Sequence, residues 1–316
     1  MVDAHLTGIF PRSEELIQIT RLAARGKASQ SEVDKIIYRD IKSLVELQKS
    51  AGLRYVTDGQ LNWQDLFRPF STLFTGIQPG SLTRWFDNNT FYRKPIVTER
   101  PRFRGSNTAQ YFRKDLLPTS VAKKAILPGP FTFTFMSENK TKSSMADLVD
   151  DIAHALKDLI SDLSKMGYEF FQLNEPLLSY SNLKKDDLQM AANAIDTCAK
   201  GVAGKKCLQT YFGDASDVAA PLLDFAVDFI GLDLYATPIE PLLQLDFTRG
   251  LGCGCVDGRN SLLESPEDLS KLITRIRDEL EPKDLFICPN CDLEYLPYPV
   301  AEKKVQVLSS AKRMAT

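Results

Sequence analysis

The chain has 316 residues, 43% of them hydrophobic and 25% charged, with a formal net charge of −2. That balance suits a globular domain with a large core and gives no electrostatic reason to expect nucleic acid or an anionic membrane as partner. No apolar run approaches a membrane span, the opening MVDAHLTGIFPRSEEL has no basic region followed by a long apolar one, and six cysteines are too few for a secreted disulfide scaffold of this length, so a reducing cytoplasm is expected.

Strand-like and helix-like segments alternate along most of the chain. LTGIF (6–10) reads as the first strand, and a helix follows Ser13. In 32–50 the apolar residues Val33, Ile36, Ile37, Ile41, Leu44, Val45 and Leu47 recur at steps of three and four, as on one face of a helix. RYVTDG is the second strand. The stretch LTRWFDNNTFYRKPIV carries two strand-like pieces around Asn88-Asn89, a hairpin signal. AILPGPFTF reads as the third barrel strand, and a helix over 146–166 presents Leu148, Ile152, Leu156, Leu159 and Leu163 on one side. YEFFQLNEP, KCLQTYFG, DFIGLDLYA, GLGCGCVDG and LFICPNC supply strands four to eight. Before the last of them, Ser265 can cap a helix with Pro266 in its first position and a stripe of Leu269, Leu272, Ile273, Ile276 and Leu280.

Eight short strands alternating with helices imply parallel pairing and closure into a (β/α)8 TIM barrel. An open doubly wound sheet is the competing architecture, but no glycine-rich phosphate loop follows the first strand. Residues 1–316 are therefore expected to form a single barrel domain, with 70–118 an inserted β-hairpin region between the second and third barrel strands.

A barrel of this class carries its site at the C-terminal strand ends. Those ends are rich in polar side chains: Asp58, Gln60, Asn62 and Trp63 after strand two; Asn174 and Glu175 after strand four; Tyr211 and Asp214 after strand five. Asp233 and Tyr235 follow strand six, Cys253, Cys255, Asp257, Arg259 and Asn260 belong to strand seven and its loop, and Cys288 and Cys291 to strand eight. Each could instead cap the next helix, whereas Glu175, between an apolar strand and Pro176, cannot easily swing to solvent. The two histidines do not make a triad or a histidine-rich metal site: His5 opens the first strand, away from the C-terminal ends, and His154 lies mid-helix beside Asp151 and Asp158. Proton transfer would rest on carboxylates, Tyr, Cys or Lys. Cys253 and Cys255, two apart on a strand, share a face, and neighbouring strands could bring Cys291 close to them. Such thiols would suit Zn²⁺, which needs three or four ligands, or they are packed hydrophobes. The CxxC of Cys288 and Cys291 is not followed by the helix a redox motif requires.

Several motifs together resemble the cobalamin-independent methionine synthases. QLNEP at 172–176 resembles that family's Q-[IV]-D-E-P, PNCDL at 289–293 its P-[DS]-C-x-L, and TGIFPRS at 7–13 its opening I-G-S-x-P-[QR]-[ST]. DGQLNWQD at 58–65, RWFDNNTFYRKP at 84–95 and DGRN at 257–260 resemble segments of the family's N-terminal half. The chain thus looks like a single-barrel relative of that half. The resemblance implies a methyltransferase that moves a methyl group from a folate, pterin or corrinoid donor to a thiol such as homocysteine. It implies Asn174, Glu175, Asp257 and Arg259 near the chemistry and Gln60, Asn62, Trp63, Trp85 and Tyr211 around the substrates. A pterin donor with its glutamate tail would meet Trp63, Trp85, Phe86 and Arg93.

The family's catalytic half binds zinc through a His-x-Cys pair, a Glu and the last-strand Cys. At those positions this sequence has Tyr211, Gly213, Asp233 and Cys291, so only Cys291 matches unchanged. Two readings follow. Either a rearranged set drawn from Cys253, Cys255, Cys291 and Asp233 holds Zn²⁺, or the chain is a partner that binds a separately encoded zinc-bearing barrel and contributes to the methyl-donor site.

Overall fold

The computed structural model describes residues 2–315. Its strands are β1 (Val2–Ala4), β2 (Tyr55–Val56), β3 (Phe74–Arg84), β4 (Phe91–Phe103), β5 (Ala122–Pro128), β6 (Glu138–Asn139), β7 (Tyr168–Asn174), β8 (Lys205–Gln209), β9 (Phe229–Asp233), β10 (Gly250–Val256) and β11 (Leu285–Pro289). Eight of these run parallel in the order β1-β11-β10-β9-β8-β7-β5-β2, and a parallel bridge between His5 and Tyr55 joins the two ends into a closed ring. Helices surround it, as the alternation of segments predicts. Among the described residues no helix is long and apolar enough to cross a membrane.

Helix starts follow from side chains that satisfy free amides. Ser13 Oγ accepts from the Leu16 amide at 3.1 Å, and Ser265 Oγ from that of Asp268 at 3.2 Å. Ser29 with Glu32, and Ser144 with Asp147, form reciprocal capping boxes on the helices Gln30–Ser50 and Met145–Lys165. Each of those two helices buries its predicted apolar stripe against the sheet. The C-terminal helix Tyr298–Ala315 closes the ring beside the first strand, and its Lys304 pairs with Glu264 at 2.6 Å beneath the surface.

Parallel neighbours in register point to the same side, so the ladder identifies the interior. Phe170, Phe229 and Phe286 pack there with Tyr55, and His5 stacks on Phe286 with ring centroids 5.1 Å apart. This aromatic plug fills the end of the barrel opposite the mouth. The interior position beside Phe170 belongs to Lys124, its partner in register, whose ammonium donates to Leu6 O at 2.7 Å and lies 5.0 Å from the Phe170 ring centroid. Burial pulls the Lys124 pKa down to about 7.

Two strand assignments shift. The first strand is Val2–Ala4 rather than 6–10, and His5 ends it rather than opening it. Residues 6–10 instead cross the mouth, held by Thr7 Oγ1 to Pro289 O and Cys291 O and by the Phe10 amide to Gly59 O. In AILPGPFTF the strand stops at Pro128, because Pro130 begins the helix Pro130–Phe135. The excursion between β2 and the next barrel strand is a hairpin as expected: β3 pairs antiparallel with β4 across Asn88-Asn89, and β6 adds alongside β4. Asp65 fixes the hairpin to the barrel by accepting from the Arg93 amide at 3.2 Å and from the Phe67 and Arg68 amides.

Candidate active site

At the top of the barrel the register aligns Asn174, Gln209, Asp233 and Asn290 on the inner face. All four are fully buried. Asn174 Oδ1 accepts from Gln172 Nε2 at 2.6 Å, and the same amide reaches Thr7 O. The Tyr211 hydroxyl lies beside Asn174, and burial with Asp292 and Cys291 nearby pushes its pKa well up. Asp233 is saturated: Oδ1 accepts from Asn290 Nδ2 at 3.0 Å and from the Tyr235 and Ala236 amides, and Oδ2 from the Phe212 amide.

Glu175 sits at the mouth, where the sequence reading put it, but its partners are backbone. Its two oxygens accept from the Phe131 and Thr132 amides at 2.8 and 2.7 Å, at the N-terminus of the helix Pro130–Phe135. Gly129 is required there, since a Cβ on it would lie 2.2 Å from the carboxylate. Burial outweighs these hydrogen bonds and pushes the Glu175 carboxyl up to about 7, within range of a proton-transferring group.

The cysteines are not gathered. Gly250, Gly252 and Gly254 are in register with the inward-facing Phe229, Gly231 and Asp233, which puts Cys253 and Cys255 on the outer face of β10. There they pack in the layer between sheet and helices. Their shared face is therefore the wrong one for a mouth site. Cys288 is buried inside the strand. Cys291 alone lies at the mouth, against Gly258, its thiol pushed well up by burial and by the acids Asp292 and Asp233. Among the described residues no three His, Cys, Asp or Glu side chains are arranged to hold a metal ion. With Asp233 already saturated, the residues present do not fit a zinc centre of the family kind.

Trp63 is fully buried, with its Nε1 donating to Tyr111 O at 2.9 Å and Phe70 and Phe112 packed edge-on. It fastens the insertion to the barrel rather than offering a ligand a face. Trp85 is in contact with Phe67, Phe86 and Tyr92 and forms one wall of a cleft. Phe86 instead touches Tyr180 and Phe212, and Arg93 turns back to Gly80 O. Arg259 lies over the Phe212 ring at 5.2 Å, its amide held by Asp257, whose Oδ1 also faces Asn290. Asn62 bonds Gln110 O and lines a second hollow on the far side of Arg12.

The cleft, about 790 Å³, lies between the hairpin and the loops after β1, β2 and β11. Gln60 reaches it in a left-handed backbone conformation, φ 54°, uncommon for a non-glycine residue. Arg12, Asp292 and Glu294 also line it, and the sequence reading did not single them out. Two acids directly after the last strand, in CDLE, were the available signal. Asp292 Oδ1 accepts from the Ile9 amide at 2.7 Å, which Gly8 permits because a Cβ there would collide with the carboxylate.

From residue 54 to residue 281 the sequence matches the family described as "Cobalamin-independent synthase, N-terminal domain". A methionine synthase of Saccharolobus solfataricus is 28% identical over 304 residues, covering 94% of this chain and 90% of that one. Among solved structures, a B12-independent methionine synthase from Shewanella in complex with selenomethionine superposes with a TM-score of 0.77 at 18% identity, covering 91% of this chain and 89% of that one. A methyltransferase from Methanosarcina mazei gives a TM-score of 0.62 at 14% identity, covering 98% and 94%. These likenesses of structure show a shared barrel. Together with the match across most of the chain, they mean that this protein belongs to the cobalamin-independent methionine synthase family as a single-barrel member.

Proposed function

We propose that the chain serves the transfer of a methyl group from a folate, pterin or methylcorrinoid donor to a thiol such as homocysteine. The observation that carries this is the mouth of a family-type barrel: Asn174, Glu175, Tyr211 and Cys291 surround it, and a cleft of ligand size opens beside it. Glu175 is the group suited to hold or release a proton there. Thiols react as thiolates, and within this family zinc supplies that activation.

One observation favours a division of labour. Asp233 is saturated and Cys253 and Cys255 face the helices, which leaves Cys291 without co-ligands. In this form of the proposal the chain binds substrate and works with a separate zinc-bearing barrel. Purified protein would then carry no stoichiometric zinc and methylate no thiol alone, but would do so when mixed with such a barrel. One equivalent of zinc, lost on Cys291→Ser, together with thiol methylation by the chain alone, would reject the partner form and keep the first. No transfer under either condition would reject both.

A further inference from the structure

The second hollow, about 990 Å³, lies on the outer side of Arg12, between the helices Glu14–Ala24 and Gln30–Ser50 and the segment 109–115. Four cationic side chains line it, Arg12, Arg68, Arg113 and Lys114, against two acids, Asp34 and Asp115. Asp115 is committed, since its oxygens accept from the Arg113 guanidinium at 3.0 and 2.8 Å. Asp34 is exposed and accepts from the Gln30 amide. Arg12, Arg68 and Lys114 are thus left in the hollow without a lining acid of their own.

The two arginines are the informative pair. The Arg12 guanidinium makes no hydrogen bond or ion pair among the described residues. Burial lowers its pKa, Glu294 opposes that, and Arg21 and Arg68 add repulsion. Glu294 belongs to the mouth side, where burial and then Asp292 push its carboxyl up to about 8, so that most of it is uncharged at pH 7. Arg68 lies 3.5 Å from Asp65, whose oxygens already accept from the Phe67, Arg68 and Arg93 amides, and its buried Nε makes no hydrogen bond. Two half-buried guanidiniums therefore repel each other beside an open volume, a cost that a bound dianion removes. A phosphate group matches them, with two charges and several acceptor oxygens in a compact body. The chain as a whole carries a net charge of −2, so this attraction for an anion is local to the hollow.

Phosphate alone would fill a small part of the volume. The remaining lining includes the neutral amides of Asn62, Gln64 and Gln110, and Asn62 Oδ1 is buried without a partner while its Nδ2 is spent on Gln110 O. An acceptor placed in this way takes a hydroxyl group.

We propose that this hollow binds the phosphate ester of a small polyol, with the phosphate between Arg12 and Arg68, Lys114 adding charge beside it, and a hydroxyl donating to Asn62 Oδ1. The site is separate from the mouth and does not depend on the methyl-transfer reading.

The test is calorimetric titration of the full chain at pH 8 and low salt, in a buffer free of phosphate. The probes are glycerol 3-phosphate, inorganic phosphate, succinate and glycerol. Glycerol 3-phosphate binds, inorganic phosphate binds several-fold more weakly, succinate with its spread charges is weaker still, and glycerol does not bind. Arg68→Met and Arg12→Met each weaken both phosphates by at least about tenfold, the usual scale for losing a charged hydrogen bond. Lys114 is exposed, so Lys114→Met keeps the fold and decides the matter if the arginine variants do not; it weakens both phosphates by about threefold. Lys271→Met, outside the hollow, leaves them unchanged. No binding of either phosphate at millimolar concentration, unchanged affinity in the folded variants of the hollow, or succinate bound as tightly as inorganic phosphate overturns the proposal. Inorganic phosphate bound as tightly as the ester assigns the site to the free ion and overturns the polyol.

Discussion

Asn290 donates to Asp233 at 3.0 Å across the top of β10, linking two strands that are not neighbours in the sheet. Gly254 lies beneath this contact, and a Cβ on it would sit 2.5 Å from Leu232 O and 2.8 Å from Asn290 Cα. Asp233→Ala would leave the Phe212, Tyr235 and Ala236 amides and Asn290 Nδ2 without their acceptor. Loss of a multiply bonded buried carboxylate costs about 3–5 kcal/mol. Urea unfolding of the variant should show a loss of that size; a loss below about 1 kcal/mol would mean that the network is not fixed as described.

Glu175 gives a pH-dependent expectation whose sign is opposite to that of an ordinary paired carboxylate. Its folded value, about 7, lies above the 4.5 of a free glutamate. The folded state therefore holds the proton more tightly, and this group's contribution falls as pH rises from 4.5 to about 7 and is constant above. Glu175→Gln lacks that titration and loses one carboxylate acceptor. The variant should be less stable than wild type at pH 5, with the deficit shrinking toward pH 7. Denaturation at several pH values reads it, and a deficit that grows with pH would contradict a raised value.

Lys124 runs the other way. Its folded pKa is lowered to about 7, so between there and the ordinary 10.5 the unfolded chain binds the extra proton and stability rises with pH. The groups facing it are Leu6 O, the Phe170 ring, the thiols Cys207 and Cys288, and His5, whose own pKa is lowered first by burial and then by Lys124. Wild type should gain up to about 1.4 kcal/mol per pH unit from this group between pH 7 and about 8.5, below thiol titration. Lys124→Met, which keeps the length and discards the charge, should lack that gain; an identical pH profile would refute the assignment.

All six cysteines are buried and unpaired. Burial pushes Cys207 to about 12 and raises Cys288 and Cys291 well above the usual thiol range, and Cys253 is raised by its hydrogen bond with Cys255 and then by burial. A thiol reagent at pH 7.5 should therefore find almost no fast-reacting sulfur in the native chain and six after denaturation. One rapid equivalent traced to Cys291 would mean that the mouth opens further than the structure shows.

The barrel was legible because each inner strand is a short apolar run closed by polar residues, and because Asn88-Asn89 punctuates the hairpin. The first strand was harder to place. Three residues, Val2–Ala4, carry too little pattern, and the more apolar 6–10 turned out to be a loop held by hydrogen bonds to the β11 end. Spacing correctly put Cys253 and Cys255 on one face but could not say which. Glycines at 250, 252 and 254 held that information, since Phe229 crowds the inner face at 250, Leu232 O and Asn290 crowd it at 254, and Gly231 leaves little space at 252. Trp63 shows the complementary difficulty: a tryptophan after a strand end suits a ligand or a core equally, and only the inserted segment's return over it decides. Arg12 and Glu294 lie 282 positions apart in the sequence, and no local pattern could join them.

The bare inner face of β10 also shapes the molecule. Phe229 and Asn290 press against that bare strand, so that a Cβ on Gly250 or Gly254 would collide with them. None of the residues around the 790 Å³ cleft comes from β9, β10 or the loops that follow them; they gather at β1, β2, β11 and the hairpin. The strand without β-carbons therefore abuts the strand whose end borders the cleft, and a bulky residue at 254 would push on Asn290 and so on the loop that carries Asp292 and Glu294 into it.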